Sequence, residues 1–132
     1  MLKEILKGQL YQGSVADAIS ICDSNGRIRE LGLRSVLTVA DNVRLRVPET
    51  MVHLHLPVDE VHPTSEYYFE LACNLKVVPM LVHCQAGANR SRVFAALIAY
   101  KVFGIPLPKA IELAGPPTSG VVFESMMKWA RV

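Results

Sequence analysis

This chain is short of most features that announce a protein class. It has no long hydrophobic run: the longest, Val93 to Tyr100, stops at Lys101, far below the ~20 apolar residues that a membrane-spanning helix needs. A spanning helix is excluded. The first ten residues carry Lys3, Glu4 and Lys7 among apolar neighbours and so lack the continuous core of a secretory signal. A cytoplasmic protein is the expectation. Three cysteines, Cys22, Cys73 and Cys84, are an odd number without a C-x-x-C pair, which argues against both a disulfide framework and a zinc ribbon. Charge is also scarce: 14 basic against 12 acidic residues leave +2, so the sum predicts neither nucleic-acid nor membrane binding. There is no internal repeat and no linker. At 132 residues, 51% of them hydrophobic, the chain reads as one globular domain over 1–132.

Within that domain, strand and helix signals alternate. Gln9 to Ser14 (QLYQGS) reads as a short strand entering a turn, and Val15 to Cys22 as a short helix. Asn25-Gly26 is a turn signal before Ile28, Leu31 and Leu33, with the helical spacing ending at Gly32. Ser35 to Ala40 (SVLTVA) and Val52 to Leu56 (VHLHL) are β-branched or alternating strands, the second with His53 and His55 on one face; Asp41 to Met51 between them is a surface loop. Thr64 to Leu75 has an amphipathic pattern with Thr64 or Ser65 as its cap, and Met80 to His83 is a short buried strand. Ser91 to Phe103 is apolar almost all round, the mark of an enclosed helix; Pro108 to Ala114 and Val122 to Arg131 supply two more. The interleaving predicts an α/β fold, a central mostly parallel sheet of four to five strands flanked by helices.

The chemistry concentrates between Val82 and Ser91, where a buried strand runs through Cys84-Gln85-Ala86-Gly87-Ala88-Asn89-Arg90 into a helix. Backbone N–H groups of such a loop converge, Gly87 can take a positive φ, and the helix aims its positive end at the same point. A tetrahedral phosphate fits that cradle. Arg90 at the rim offers a planar fork for two phosphate oxygens, and Cys84 at the floor is placed where amides and dipole favour thiolate. A thiolate beneath a phosphate is a nucleophile aimed at phosphorus.

These residues resemble the cysteine-based protein tyrosine phosphatases, whose signature is H-C-x5-R followed by Ser or Thr. The match is complete from His83 to Ser91, and His-Cys-x-Ala-Gly-x-x-Arg-Ser is most similar to the small dual-specificity branch. LYQGS, SVLTVA and LPVDE fall in the same order as in that branch. The resemblance implies a dual-specificity phosphatase-like fold, a phosphocysteine on Cys84, and phosphate held by Arg90 and the amides of Gln85, Ala86, Gly87, Ala88, Asn89 and Arg90. It implies that Asp59 is the general acid and then the base, with Glu60 and Asp41 as competitors. Ser91 would hydrogen-bond the departing thiolate, and His83 would support the loop from behind. No metal or other cofactor is implied. The expected partners are a phosphorylated protein or peptide and free oxyanions, with no nucleic acid and no membrane, acting on a monomer. A phosphoinositide, phosphoglycan or RNA 5′ phosphate is the alternative substrate; the uncharged Gln85, Ala86, Ala88 and Asn89 disfavour inositol phosphates, with Asn89 leaving that reading open. A phosphate-binding module without turnover is a third reading.

Other residues carry paired readings. His53 and His55 are read as half-buried polar residues rather than metal ligands, and Cys22 and Cys73 as core. Arg44, Arg46 and Arg92 either collect an anionic substrate or are solvated. Tyr67, Tyr68, Phe69 and Phe94 are read as packing residues.

Overall fold

A computed structural model describes residues 2–117 and 120–130. Strands β1 (Lys3–Leu6), β2 (Leu10–Gly13), β3 (Ser35–Val39), β4 (Val52–Leu56) and β5 (Met80–His83) form one sheet in the order β1-β2-β5-β3-β4. Only β1 is antiparallel to its neighbour; the other three pairings are parallel. The helices are α1 (Val15–Cys22), α2 (Asn25–Leu31), α3 (Glu66–Leu75), α4 (Arg90–Lys101), α5 (Leu107–Ala114) and α6 (Val121–Ala130).

Strand periodicity sorts the core into two layers. Leu10, Leu37, Val39, Met80 and Val82 face the cluster that holds Phe69, Val93, Phe94, Leu97 and Met126, from α3, α4 and α6. Their neighbours Tyr11, Val36 and Leu81 point the other way, onto Ala18, Ile21, Leu33 and Met51. Side chains buried on both faces are what a parallel sheet requires. Helix α4 lies deepest, with Val93 through Ala99 all buried, which explains its nearly all-round apolar sequence. The Phe69 ring packs, tilted, at 5.2 Å from Phe94 and 5.7 Å from Trp129. Phe69 and Phe94 are fully buried as expected, but Tyr67 is 61% exposed, because it opens α3 on the outer face.

Three details depart from the sequence reading. The β1 strand was not anticipated; KEIL is short and half charged, and it exists through its pairing with β2 across a turn in which Gly8 takes φ +67°. Asn25-Gly26 is not a turn but the first turn of α2, because Ser24 caps it by accepting from the Arg27 N–H. The segment from Asp41 to Met51 is irregular as expected, yet it buries Val43 and Met51 and sets the exposed Asp41 and Asn42 against Arg90. The expected end of the last helix, Arg131, lies outside the described residues.

Candidate active site

The site begins at the C-terminal end of β5, the middle strand of the sheet, and closes at the first residue of α4. Cys84 is 2% exposed. Its Sγ receives the Gly87 N–H at 3.3 Å and lies 3.1 Å from Ser91 Oγ. Gly87 has φ +74°, and this bend brings its own N–H back over the sulfur.

The orientation of the loop follows from where its carbonyls are held. The Cys84 carbonyl meets His83 Nδ1 at 3.1 Å, the Gln85 carbonyl accepts from the Val15 N–H at 3.0 Å, and the Gly87 carbonyl accepts from Gln12 Nε2 at 2.8 Å. In a trans peptide the N–H that follows points opposite to the C=O. Tying three carbonyls to the surrounding protein therefore turns the N–H groups of Gln85, Ala86 and Ala88 to the loop's inner side. Convergent N–H groups of this kind have the geometry of an anion-binding nest.

Gln12 is a site residue that the sequence reading passed over. It is 3% exposed, and its amide nitrogen reaches both Gly87 O and Ser91 Oγ at 2.8 Å. A carbonyl only accepts, so the group facing Gly87 is the NH2, and Ser91 Oγ must accept from it as well. The hydroxyl proton of Ser91 is then left for the sulfur at 3.1 Å or the Gly13 carbonyl at 3.4 Å. Its sequence signal is the single polar residue inside an otherwise apolar strand, LYQG.

Arg90 is 5% exposed and held on one edge. Nη1 donates to the Val58 carbonyl at 2.7 Å and to Asp41 Oδ1 at 3.0 Å, and Nη2 to Asn42 Oδ1 at 3.2 Å. Among the described residues its buried Nε has no hydrogen-bond partner; the nearest carboxylate oxygen, Glu60 Oε1, is 3.8 Å away. Asn42 also donates to Gln85 Oε1, tying the β3–β4 loop to the loop from Cys84 to Arg90. A fixed fork whose Nε–H is unsatisfied is suited to an incoming oxyanion.

The two adjacent carboxylates behave differently. Asp59 Oδ1 accepts from the N–H groups of Val61 and His62, both at 2.7 Å, and Oδ2 lies 3.3 Å from His62 Nδ1. Those bonds, the backbone N–H of His62 first and that of Val61 second, hold its carboxyl below the ordinary aspartate value. Glu60 reaches the loop from Cys84 to Arg90 instead, with Oε1 accepting from Asn89 Nδ2 at 3.0 Å. So Cys84, Arg90, Ser91 and His83 are brought together with the loop residues 85–89, while Asp59 is bonded within its own turn and Asp41 is bonded to Arg90.

The remaining candidates sit around this centre. Arg44 and His55 line an open depression of about 740 Å³ beside Asp41 and Asn42. Arg92 Nη1 donates to the Pro116 carbonyl at 2.9 Å, after α5. Cys22 and Cys73 are buried free thiols, both pushed up by burial, Cys73 to about 11. Among the described residues no three His, Cys, Asp or Glu side chains are grouped to hold a metal, and no helix is long and apolar enough to cross a membrane.

No protein-family model and no curated protein matches this sequence. Solved structures do match its fold. Human DUSP28 superposes with a TM-score of 0.80 at 17% identity over 98% of this chain and 93% of that one. A mouse candidate dual-specificity phosphatase complexed with zinc tungstate gives 0.81 at 16% identity, over 98% and 86%. PTPMT1 in complex with PI(5)P gives 0.72 at 16% identity, over 98% and 94%. The chain thus has the fold of the small dual-specificity phosphatases, the fold that its H-C-x5-R segment led us to expect.

Proposed function

We propose that this chain is a cysteine-dependent phosphomonoester hydrolase acting, as a monomer, on phosphorylated protein side chains. The observation that carries the reading is the Cys84 sulfur on the floor of a loop whose carbonyls are tied outward, with the Gly87 N–H and Ser91 Oγ against it. In the first step the thiolate forms a P–S bond while the P–O bond to the leaving group breaks. The inward N–H groups and the Nε edge of Arg90 balance charge on the three equatorial oxygens. A carboxylic acid protonates the departing oxygen. In the second step the same group, now a carboxylate, takes a proton from water as the water displaces sulfur from phosphorus, and Ser91 donates its proton's hydrogen bond to the returning thiolate. Phosphate leaves, and Cys84 is restored.

Of the two neighbouring carboxyls, Glu60 is favoured as the proton donor. Its hydrogen bond to Asn89 keeps it over the loop. Asp59 is instead bonded within its own turn by the N–H groups of Val61 and His62. The neutral loop residues Gln85, Ala86 and Ala88 favour a singly phosphorylated side chain over a polyanionic headgroup.

Hydrolysis of aryl phosphates with good and poor leaving groups tests this. Cys84→Ser should abolish turnover and retain phosphate binding. Glu60→Gln should lower kcat by roughly 10²- to 10⁴-fold on the poor leaving group and less on the good one, with Asp59→Asn far milder. Equal rates for Glu60→Gln and wild type on the poor leaving group, with Asp59→Asn impaired, would return the role to Asp59. A wild-type chain active on inositol phosphates and inert on phosphopeptides would replace the protein substrate.

A further inference from the structure

His53, Thr38 and His83 form a hydrogen-bonded row across three adjacent strands. Thr38 is paired with His83 in the β3–β5 register, and its Oγ1 lies 2.7 Å from His83 Nε2 and 2.8 Å from His53 Nε2. His83 is fully buried, and its Nδ1 lies 3.1 Å from the Cys84 carbonyl.

The direction of every proton in this row is determined. A carbonyl only accepts, so His83 Nδ1 carries a proton. Burial pushes His83 down to about 4, against the opposing pull of the Cys84 carbonyl, so at neutral pH the ring is uncharged and Nε2 is bare. A bare nitrogen must accept, so Thr38 gives its one proton to His83. The Thr38 oxygen can then only accept from His53, which must carry its proton on Nε2. His53 and His55 are exposed on the edge strand rather than partly buried; desolvation against the sheet, and then His55, whose ring stacks on that of His53 at 6.2 Å and 8° and whose Nε2 donates to the Ala40 carbonyl at 2.7 Å, lower the His53 value and favour its neutral form. The row therefore runs one way, from the edge strand β4 to the first carbonyl of the phosphate loop.

We propose that Thr38 and His53 are positioning residues: they hold His83 in the Nδ1–H tautomer and so keep the Gln85 N–H turned into the phosphate loop. Without the Thr38 proton, only the Cys84 carbonyl favours the Nδ1–H tautomer of His83, and the bond that holds the 84–85 carbonyl outward loses half of its support. The inner N–H opposite that carbonyl then loses its aim at the phosphate oxygen. The two histidines of VHLHL thus serve the site without touching substrate.

This inference rests on the loop being a phosphate site, and its test separates the two. Nitrogen-15 NMR of wild type should show His83 protonated at Nδ1 and His53 at Nε2. Calorimetric binding of inorganic phosphate, which needs no turnover, should weaken roughly tenfold in Thr38→Val, the worth of one hydrogen bond. Thr38→Ser should restore it. His53→Phe should weaken binding in the same sense, and His53→Gln, which keeps an N–H, should not. His53 lies on the exposed edge strand, so its variants carry the test if Thr38→Val does not fold. A His83 proton found on Nε2, or unchanged phosphate binding in folded Thr38→Val or in His53→Phe, overturns the proposal. Wild type that binds phosphate but hydrolyses no aryl phosphate overturns the hydrolase reading and leaves this one standing.

Discussion

At the scale of single residues the site depends on contacts that tolerate little change. A Cβ added to Gly87 would lie 2.9 Å from the Ser14 nitrogen and 3.0 Å from the Gly13 carbonyl carbon, backbone atoms that cannot swing aside, at a φ of +74°. Gly87→Ala should therefore lower kcat/KM by roughly 10²-fold through displacement of the loop, and stability by about 1–2 kcal/mol, read by aryl phosphate kinetics and urea unfolding. Cys84, Arg90, Ser91 and His83 were legible in the sequence because the nest they build is local, nine residues from end to end. Gln12, Thr38 and Asn42 were not, because each meets the loop from a distant part of the chain: Gln12 is 75 positions from Gly87 and Thr38 is 45 from His83. Asp59 and Glu60 mark a different limit. They are adjacent, and only the turn that gives the Val61 and His62 N–H groups to Asp59 decides which of the two faces the loop.

Among elements, α1 shows how a helix terminus serves a site it does not belong to. Ser14 Oγ accepts from the Asp17 N–H at 3.2 Å, while the Asp17 carboxylate accepts from the Ser14 N–H at 2.9 Å, a reciprocal cap. Burial works to raise the Asp17 carboxyl and the Ser14 bonds to lower it, and its value lies below the ordinary one. The next residue, Val15, gives its N–H to Gln85. Ser14→Ala should cost about 1 kcal/mol, a fall in Tm of a few degrees, and should also weaken phosphate binding, since the N–H that ties the loop starts the same turn. Thermal unfolding with and without phosphate measures both. Strands and helices were largely legible because their apolar periods were clean. The exceptions have physical causes: β1 depends on pairing with β2 rather than on its own KEIL sequence, and Ser24 converts Asn25-Gly26 from a turn signal into a helix start.

The molecule as a whole should be acid-sensitive, and the sign follows from His83. Its folded value is pushed down to about 4 against an ordinary 6.5, so between those values the unfolded chain binds the proton and the folded chain does not. Stability from this group is complete above about 6.5 and is lost as the pH falls toward 4, an effect of about 3 kcal/mol; His53, also lowered by desolvation, acts in the same direction. Urea midpoints at pH 7 and pH 4 should differ accordingly, and His83→Asn should flatten the difference. The α/β class was readable from the alternation of signals, but the strand order was not, since nothing local says that β5 enters between β2 and β3.

That insertion sets how the molecule comes apart. A strand bonded along both sides can be freed only by parting the sheet through its middle, whereas β1 and β4 can fray singly. Amides of β5 should therefore exchange with solvent only in the largest opening event, and the footing of Cys84 belongs to the last structure to let go. The proposed relay does not share that protection. It starts on β4, so a brief peeling of one edge disconnects His53 and Thr38 while the cysteine stays seated, leaving an intact cradle with its alignment relaxed.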